Sequence, residues 1–256
     1  MSVSTLRAHL TKFQSFLSFE PTSNLAFLSP TSPARSGFLG LLLGSLLTFH
    51  TLLPFLFPSS HIYYPLILKW SLYMFFLLLF HILEYVVTAL YNGRVVSSTS
   101  FLIDHSESYT IAALVSWTEY WLTSLLFGPS PLSPLNTLGL LLCLLGQSLR
   151  SAALYTCADN FNHIIQDTKN NANPKQRLVR EGVYGVLRHP SYTGWFYWSI
   201  GTQCILGNKL CIIVYTWVSW KFFKERIPYE ERTLMERFKE YKEYKTKSWV
   251  GIPFIG

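Results

Sequence analysis

Residues 71–87 read SLYMFFLLLFHILEYVV. Apart from His81 and Glu84 the run is Leu, Ile, Val, Phe, Met and Tyr with one Ser. It lies within Ile62–Leu90, and a bilayer core of about 30 Å is crossed by roughly 20 mostly apolar residues in a helix. Working outward, Gly37–Phe57 opens GFLGLLLGSLL, too long for the apolar core of a signal peptide and set behind a 36-residue polar lead. Downstream come Tyr109–Phe127, Leu132–Cys157, and the shorter pair Tyr192–Leu206 and Leu210–Phe223, separated by Asn208 and Lys209. That short break predicts a helical hairpin. The fold class expected is all-α: a polytopic membrane protein of about six transmembrane helices, with five and seven as neighbouring counts.

Composition agrees. Half of the 256 residues are hydrophobic, 16% aromatic and only 14% charged, against roughly 25% charged in ordinary soluble domains. The net charge of +7 follows topology. With the N-terminus cytosolic, cytosolic segments hold 18 of the 21 Lys and Arg residues, a strong positive-inside bias that places both termini in the cytosol. No nucleic-acid reader motif accompanies the basicity; the expected partner of the surface is the lipid bilayer. Four cysteines, at 143, 157, 204 and 211, form no CxxC pair and suit buried inert thiols rather than a metal site or disulfide framework.

Three regions emerge. Residues 1–36, rich in Ser and Thr and broken by Pro21, Pro30 and Pro33, read as a flexible cytosolic tail. Residues 37–157 hold four transmembrane helices. Residues 158–256 hold a polar cytosolic stretch, the hairpin and a charged C-terminal helix expected to start near Pro228. Residues able to do chemistry crowd into this last region. RHPSYTGW (188–195) stands where the polar stretch re-enters the membrane. Pro190 can open a helix whose free N–H groups attract anions, with His189, Ser191 and Tyr192 as side-chain donors. An interfacial aromatic belt explains the same residues. GVYG (182–185) allows tight turns or close approach to a ligand. In KFFKERIPYEE (221–231), Arg226 and Glu230 share a helix face if the helix runs through Pro228. They can form a surface ion pair or, at the membrane boundary, grip the head of an amphiphile. Within the spans, His50, Lys69, His81, Glu84, Glu119 and Arg150 are polar; Glu119 is deep and is expected to pair with Arg150. No GxSxG, HExxH, P-loop or GxGxxG pattern occurs.

The run from Asn162 to Gly256 resembles the isoprenylcysteine carboxyl methyltransferase family. The matching pieces are FNHIIQ (161–166), LVREGVY (178–184), RHPSYTGWFYWSIGTQ (188–203), WKFFKERIPYEE (220–231), EYKEYK (240–245) and GIPFI (251–255), in family order. RHPxY alone is shared more loosely with membrane sterol reductases, so an NADPH-dependent reductase and a non-catalytic binder of prenylated proteins stand as alternatives. The resemblance implies S-adenosyl-L-methionine bound on the cytosolic side by Gln166, Leu178, Val179, Tyr184, His189, Pro190, Ser191, Tyr192 and Glu230, with Arg226 on the substrate carboxylate. It implies methylation of the prenylated C-terminal cysteine of processed CaaX proteins, such as Ras- and Rho-type GTPases and lipidated pheromone-like peptides, at the endoplasmic reticulum membrane. The chain departs from the family at Gln176 and Arg177, where a His is frequent, and in the inserted NNANP. The chemistry is consistent: an α-carboxyl titrates at about 3.5 and is already an anion near neutrality, so no general base is required.

Overall fold

The computed structural model describes residues 29–91, 93, 96–103, 106–160 and 177–256. Most of the expected tail and residues 161–176, which include Gln166, Gln176 and NNANP, lie outside them. Among the described residues there are seven α-helices and no strand: α1 Pro33–Leu52, α2 Tyr64–Tyr91, α3 Glu107–Phe127, α4 Pro134–Cys157, α5 Pro190–Leu206, α6 Lys209–Arg237 and α7 Tyr241–Lys247. Proline starts α1, α4 and α5, where its missing N–H costs nothing. Three segments are long and apolar enough to cross a membrane: Pro33–Leu56, Tyr64–Tyr91 and Pro134–Cys157. The chain is a multi-pass membrane protein. The other expected spans fall short of that mark. α5 has 17 residues, 13 of them buried, and the second half of α6 is charged. α3 contains Glu107, Glu119 and several hydroxyl residues. Its Thr118, Thr123 and Ser124 hydroxyls donate to carbonyls of their own helix at 2.8, 2.6 and 2.7 Å, which satisfies them without water.

The centre is the antiparallel pair α4–α5. Gly139 and Gly146 face Gly201 and Gly194 so closely that an added Cβ at Gly146 would stand 2.6 Å from the Gly194 carbonyl oxygen. Small residues thus let the two backbones touch. α2 covers this pair: the Phe80 ring stacks on Trp198 with centroids 4.7 Å apart, and Tyr73, Phe76, Cys143 and Ile205 complete the core.

At one end of the bundle the hairpin turn is fixed by side chains. Gly207 takes a left-handed φ of 77°, and Asn208 donates to the Ser116 carbonyl at 2.9 Å and to Gln203 Oε1 at 3.1 Å. Asn136 donates to the Cys204 and Ile205 carbonyls at 3.1 and 3.0 Å. Glu119 accepts from the backbone N–H groups of Leu210 and Cys211, both at 2.8 Å. The expected Glu119–Arg150 pair is therefore wrong: Glu119 caps the start of α6, where helical N–H groups are unpaired. Arg150 instead meets Glu84 at 2.5 Å, because both lie toward the opposite end. Lys69 donates to the Ser130 hydroxyl and the Ser130 and Pro131 carbonyls at 2.8, 3.0 and 3.0 Å, tying α2 to the α3–α4 loop.

A second correction concerns the C-terminal helix. It does not start near Pro228: α6 runs unbroken from Lys209 to Arg237 with Pro228 inside it. Proline removes one backbone bond, yet Ile227 and Glu231 beside it are buried and hold the helix in place. The break comes after Arg237, so Leu234 and Tyr241 belong to two helices.

Candidate active site

A cavity of about 1020 Å³ is bounded by α2, α3, α5, α6 and the loop before α5. Nine of the ten site residues expected from sequence line it: Leu178, Val179, Tyr184, His189, Pro190, Ser191, Tyr192, Arg226 and Glu230. The tenth, Gln166, is outside the described residues.

Three segments bring these residues together. Gly182–Gly185 forms a short 3-10 turn with Gly182 at φ 57°, which presents Tyr184. The first turn of α5 carries Pro190, Ser191 and Tyr192, with His189 as its cap residue. Arg226 and Glu230 lie one turn apart on α6. The His189 and Tyr192 rings stack with centroids 5.6 Å apart and planes 4° from parallel. Tyr192 in turn packs on Phe223. Arg226 does not pair with Glu230 among the described residues; its Nε lies 3.5 Å from the Tyr192 hydroxyl. Glu230 Oε2 is buried and has no hydrogen-bond partner there. A buried carboxylate oxygen left unpaired is costly, so it is an acceptor for a donor that the described residues do not supply. Arg177, at the position of family departure, lines the cavity, but its side chain is 71% exposed and lies 3.6 Å from Glu181.

Beside the cavity sits a residue that the sequence reading missed. Glu231 accepts from Arg188 Nε and Lys245 Nζ, each at 2.5 Å, and stands 3.3 Å from His189 Nε2. Burial alone would push its carboxyl up; bonds from His189, Lys245 and Arg188 overcome this and hold it at about 2. Arg188 also donates to the Ser248 carbonyl at 2.6 Å. The cluster joins α5, α6 and α7 behind the His189 ring. Its signal was available in the spacing: Phe223, Ile227 and Glu231 recur every four residues, and all three are buried.

The C-terminal segment straps the same region. The Trp249 N–H donates to the Val186 carbonyl at 2.9 Å, and the Arg188 N–H donates to the Trp249 carbonyl at 2.8 Å. Thr193 donates to the Val250 carbonyl at 2.5 Å, Tyr197 to Gly251 at 3.1 Å and Trp220 to Pro253 at 2.8 Å. Gly251 has φ +86°, and a Cβ there would meet the Thr193 side chain at 2.8 Å. Only glycine fits. Tyr244 donates to the Tyr184 carbonyl at 2.6 Å and so fixes the 182–185 turn.

The cavity extends from this polar end into an apolar arm between α2, α3 and α6. Ile111, Val115, Val214 and Val218 line it and are each at least half exposed, so the arm is reached from the side of the bundle. The arrangement offers the Arg226 cation, the buried Glu230 carboxylate oxygen, a stacked aromatic pair and an apolar channel. That suits an amphiphile with an anionic head and a second, polar ligand.

The family model for isoprenylcysteine carboxyl methyltransferases (ICMT) matches residues 138–236. The chain is 48% identical over 178 residues to a protein-S-isoprenylcysteine O-methyltransferase of Xenopus laevis, covering 69% of this chain and 61% of the relative. It is 46% identical over 186 residues to the Homo sapiens protein of that name, covering 72% and 64%. The matches thus span somewhat under two thirds of those relatives' lengths. Against the Saccharomyces cerevisiae protein of that name identity is 42% over 195 residues, covering 73% of this chain and 80% of the relative. The fold is similar to the solved structure of the eukaryotic intramembrane Ras methyltransferase ICMT, with a TM-score of 0.78 and 37% identity over 100% of this chain and 88% of that one. A helical chain with these relatives, and with its motifs gathered about one cavity, belongs to the isoprenylcysteine carboxyl methyltransferase family.

Proposed function

We propose that this chain methylates the C-terminal carboxylate of a prenylated cysteine, as found on processed CaaX proteins such as Ras- and Rho-type GTPases and lipidated pheromone-like peptides, with S-adenosyl-L-methionine as donor. The observation that carries this reading is the juxtaposition in one cavity of Arg226, the orphaned Glu230 oxygen and a laterally reached apolar arm. The donor fits what is present. Glu230 Oε2 calls for a hydroxyl or ammonium hydrogen, and the stacked His189–Tyr192 pair offers aromatic faces to a cation. When bound, S-adenosylmethionine supplies an electrophilic methyl group on a sulfonium.

The residues bind, orient and exclude water. Arg226 orients the carboxylate through its planar fork and, being always protonated, cannot act as a base. None is required, since the carboxylate is already ionised. Tyr192, beside Arg226, limits the guanidinium's freedom. Trp195, Trp198 and Phe223 in the cavity wall keep water from the reacting end. Alignment in a dry site is the main catalytic contribution. The prenyl chain lies in the arm between α3 and α6, reached from lipid. Six spans, cytosolic termini and an endoplasmic reticulum location complete the proposal. Arg226→Ala tests it. In membranes supplied with labelled S-adenosylmethionine and N-acetyl-S-farnesylcysteine, transfer should fall by at least about a hundredfold, the scale of losing a charged contact. Near-normal turnover would remove the carboxylate clamp.

A further inference from the structure

Arg150 on α4 and Glu84 on α2 form an ion pair inside the bundle, Nε to Oε1 at 2.5 Å, with side chains 9% and 1% exposed. Charge in a membrane-spanning segment is expensive, and apolar residues of similar volume hold helices together at least as well. The pair therefore calls for a directional role. Its geometry supplies one. The Arg150 guanidinium lies over the Phe80 ring at 5.1 Å, and its Nη1 donates to the Ser191 hydroxyl at 3.0 Å. Arg150 and Ser191 both line the cavity. Ser191 is buried.

A serine hydroxyl has two acceptor sites and one hydrogen to donate. With Arg150 donating to Ser191 Oγ, that hydrogen points away from the guanidinium, and no described residue accepts it. We propose that Arg150, locked by Glu84, is a positioning residue that turns the Ser191 hydroxyl into a hydrogen-bond donor aimed at an acceptor atom of the bound methyl donor. The inference rests on the methyl-donor reading above. The fork is essential to it: Nε engages Glu84 while Nη1 engages Ser191, and a single ammonium cannot hold that two-directional geometry.

The test is binding of labelled S-adenosylhomocysteine to the purified full-length protein, with Arg150→Lys, Ser191→Ala and the two combined. Each single variant should weaken binding about tenfold, the scale of one net hydrogen bond. The combination should be no weaker than Ser191→Ala alone, because both remove the same bond. The KM for N-acetyl-S-farnesylcysteine should stay unchanged. Wild-type affinity in Arg150→Lys, or effects that multiply in the double variant, would leave Arg150 a purely structural role and overturn the inference. If Arg150→Lys does not yield folded protein, the apolar pair Arg150→Met with Glu84→Met replaces it, with the same expectations. Absence of binding by the unaltered protein would overturn the methyl-donor reading and this inference with it; binding without loss in the variants overturns this inference alone.

Discussion

At Arg226 the proposed chemistry asks for a cation that orients a carboxylate and never gives up its proton. Lysine keeps the charge but loses the planar fork. Arg226→Lys should therefore retain folded protein and still lose most of its turnover, about tenfold or more in kcat/KM, measured by methyl transfer. Glu231 makes a different demand. Its carboxyl sits at about 2 in the folded protein, below the value near 4.3 of a free glutamate. A carboxyl lowered on folding stabilises the fold above its unfolded value and loses that contribution as pH falls toward the folded one. Stability should hold down to about pH 4.5 and decline toward pH 2. Glu231→Gln should flatten this acid limb and, near neutrality, cost on the order of 3 kcal/mol by leaving Arg188 and Lys245 without their counter-charge. Thermal unfolding followed by tryptophan fluorescence between pH 7 and 3 checks both; an unchanged acid limb in the variant would contradict the assignment.

Helix contacts translate sequence into geometry at the level of elements. The α4–α5 pair depends on glycine because each backbone occupies the space of the other's missing side chain. Gly146→Leu should abolish monodisperse protein in detergent, since even a Cβ would sit 2.6 Å from a backbone oxygen. Gly44→Leu, where nothing stands within 4 Å, should be tolerated. Deleting residues 251–256 removes the bonds from Tyr197 and Trp220 and should lower methyl transfer at least tenfold while the membrane helices persist. Elements differ in how far sequence discloses them. Hydropathy alone places α2 and α4 to within two residues, because lipid demands long apolar runs. It misplaces the start of the C-terminal helix, because the local rule for proline favours a helix start at Pro228. Burial of Ile227 and Glu231 outweighs that rule, and burial is a tertiary fact. The Glu119–Arg150 pairing fails for a related reason: position along a span says nothing about which charged residue faces which, or about a neighbouring helix start that needs a cap.

On the scale of the whole molecule, the bundle has two chemically distinct ends. One holds the hairpin turn, the Lys69 contacts and the Glu119 cap. The other holds the cavity's polar mouth, the Glu231 cluster and the C-terminal strap. In the proposed topology of six spans and cytosolic termini, the mouth would face the cytosol. In sealed microsomes a membrane-impermeant maleimide should label Lys239→Cys and should reach Ser60→Cys only after the vesicles are opened; the reverse pattern would invert the topology. The candidate site was legible at its first layer, since RHPSY, Arg226 and Glu230 carry the family resemblance and converge on one cavity. Its supporting layer was not, because Glu84 and Arg150 act through partners 66 and 41 residues away in the chain, and Glu231 joins Arg188, 43 residues before it, to Lys245, 14 residues after it. The central claim is transfer of a methyl group at that cavity. Its direct test is incubation of the unaltered protein and Glu230→Ala with labelled S-adenosylmethionine and N-acetyl-S-farnesylcysteine in purified membranes. Labelled methyl ester formed by the former and lost in the latter is the result predicted; folded protein that binds the donor yet forms no ester, or a Glu230→Ala variant as active as the unaltered chain, would contradict it.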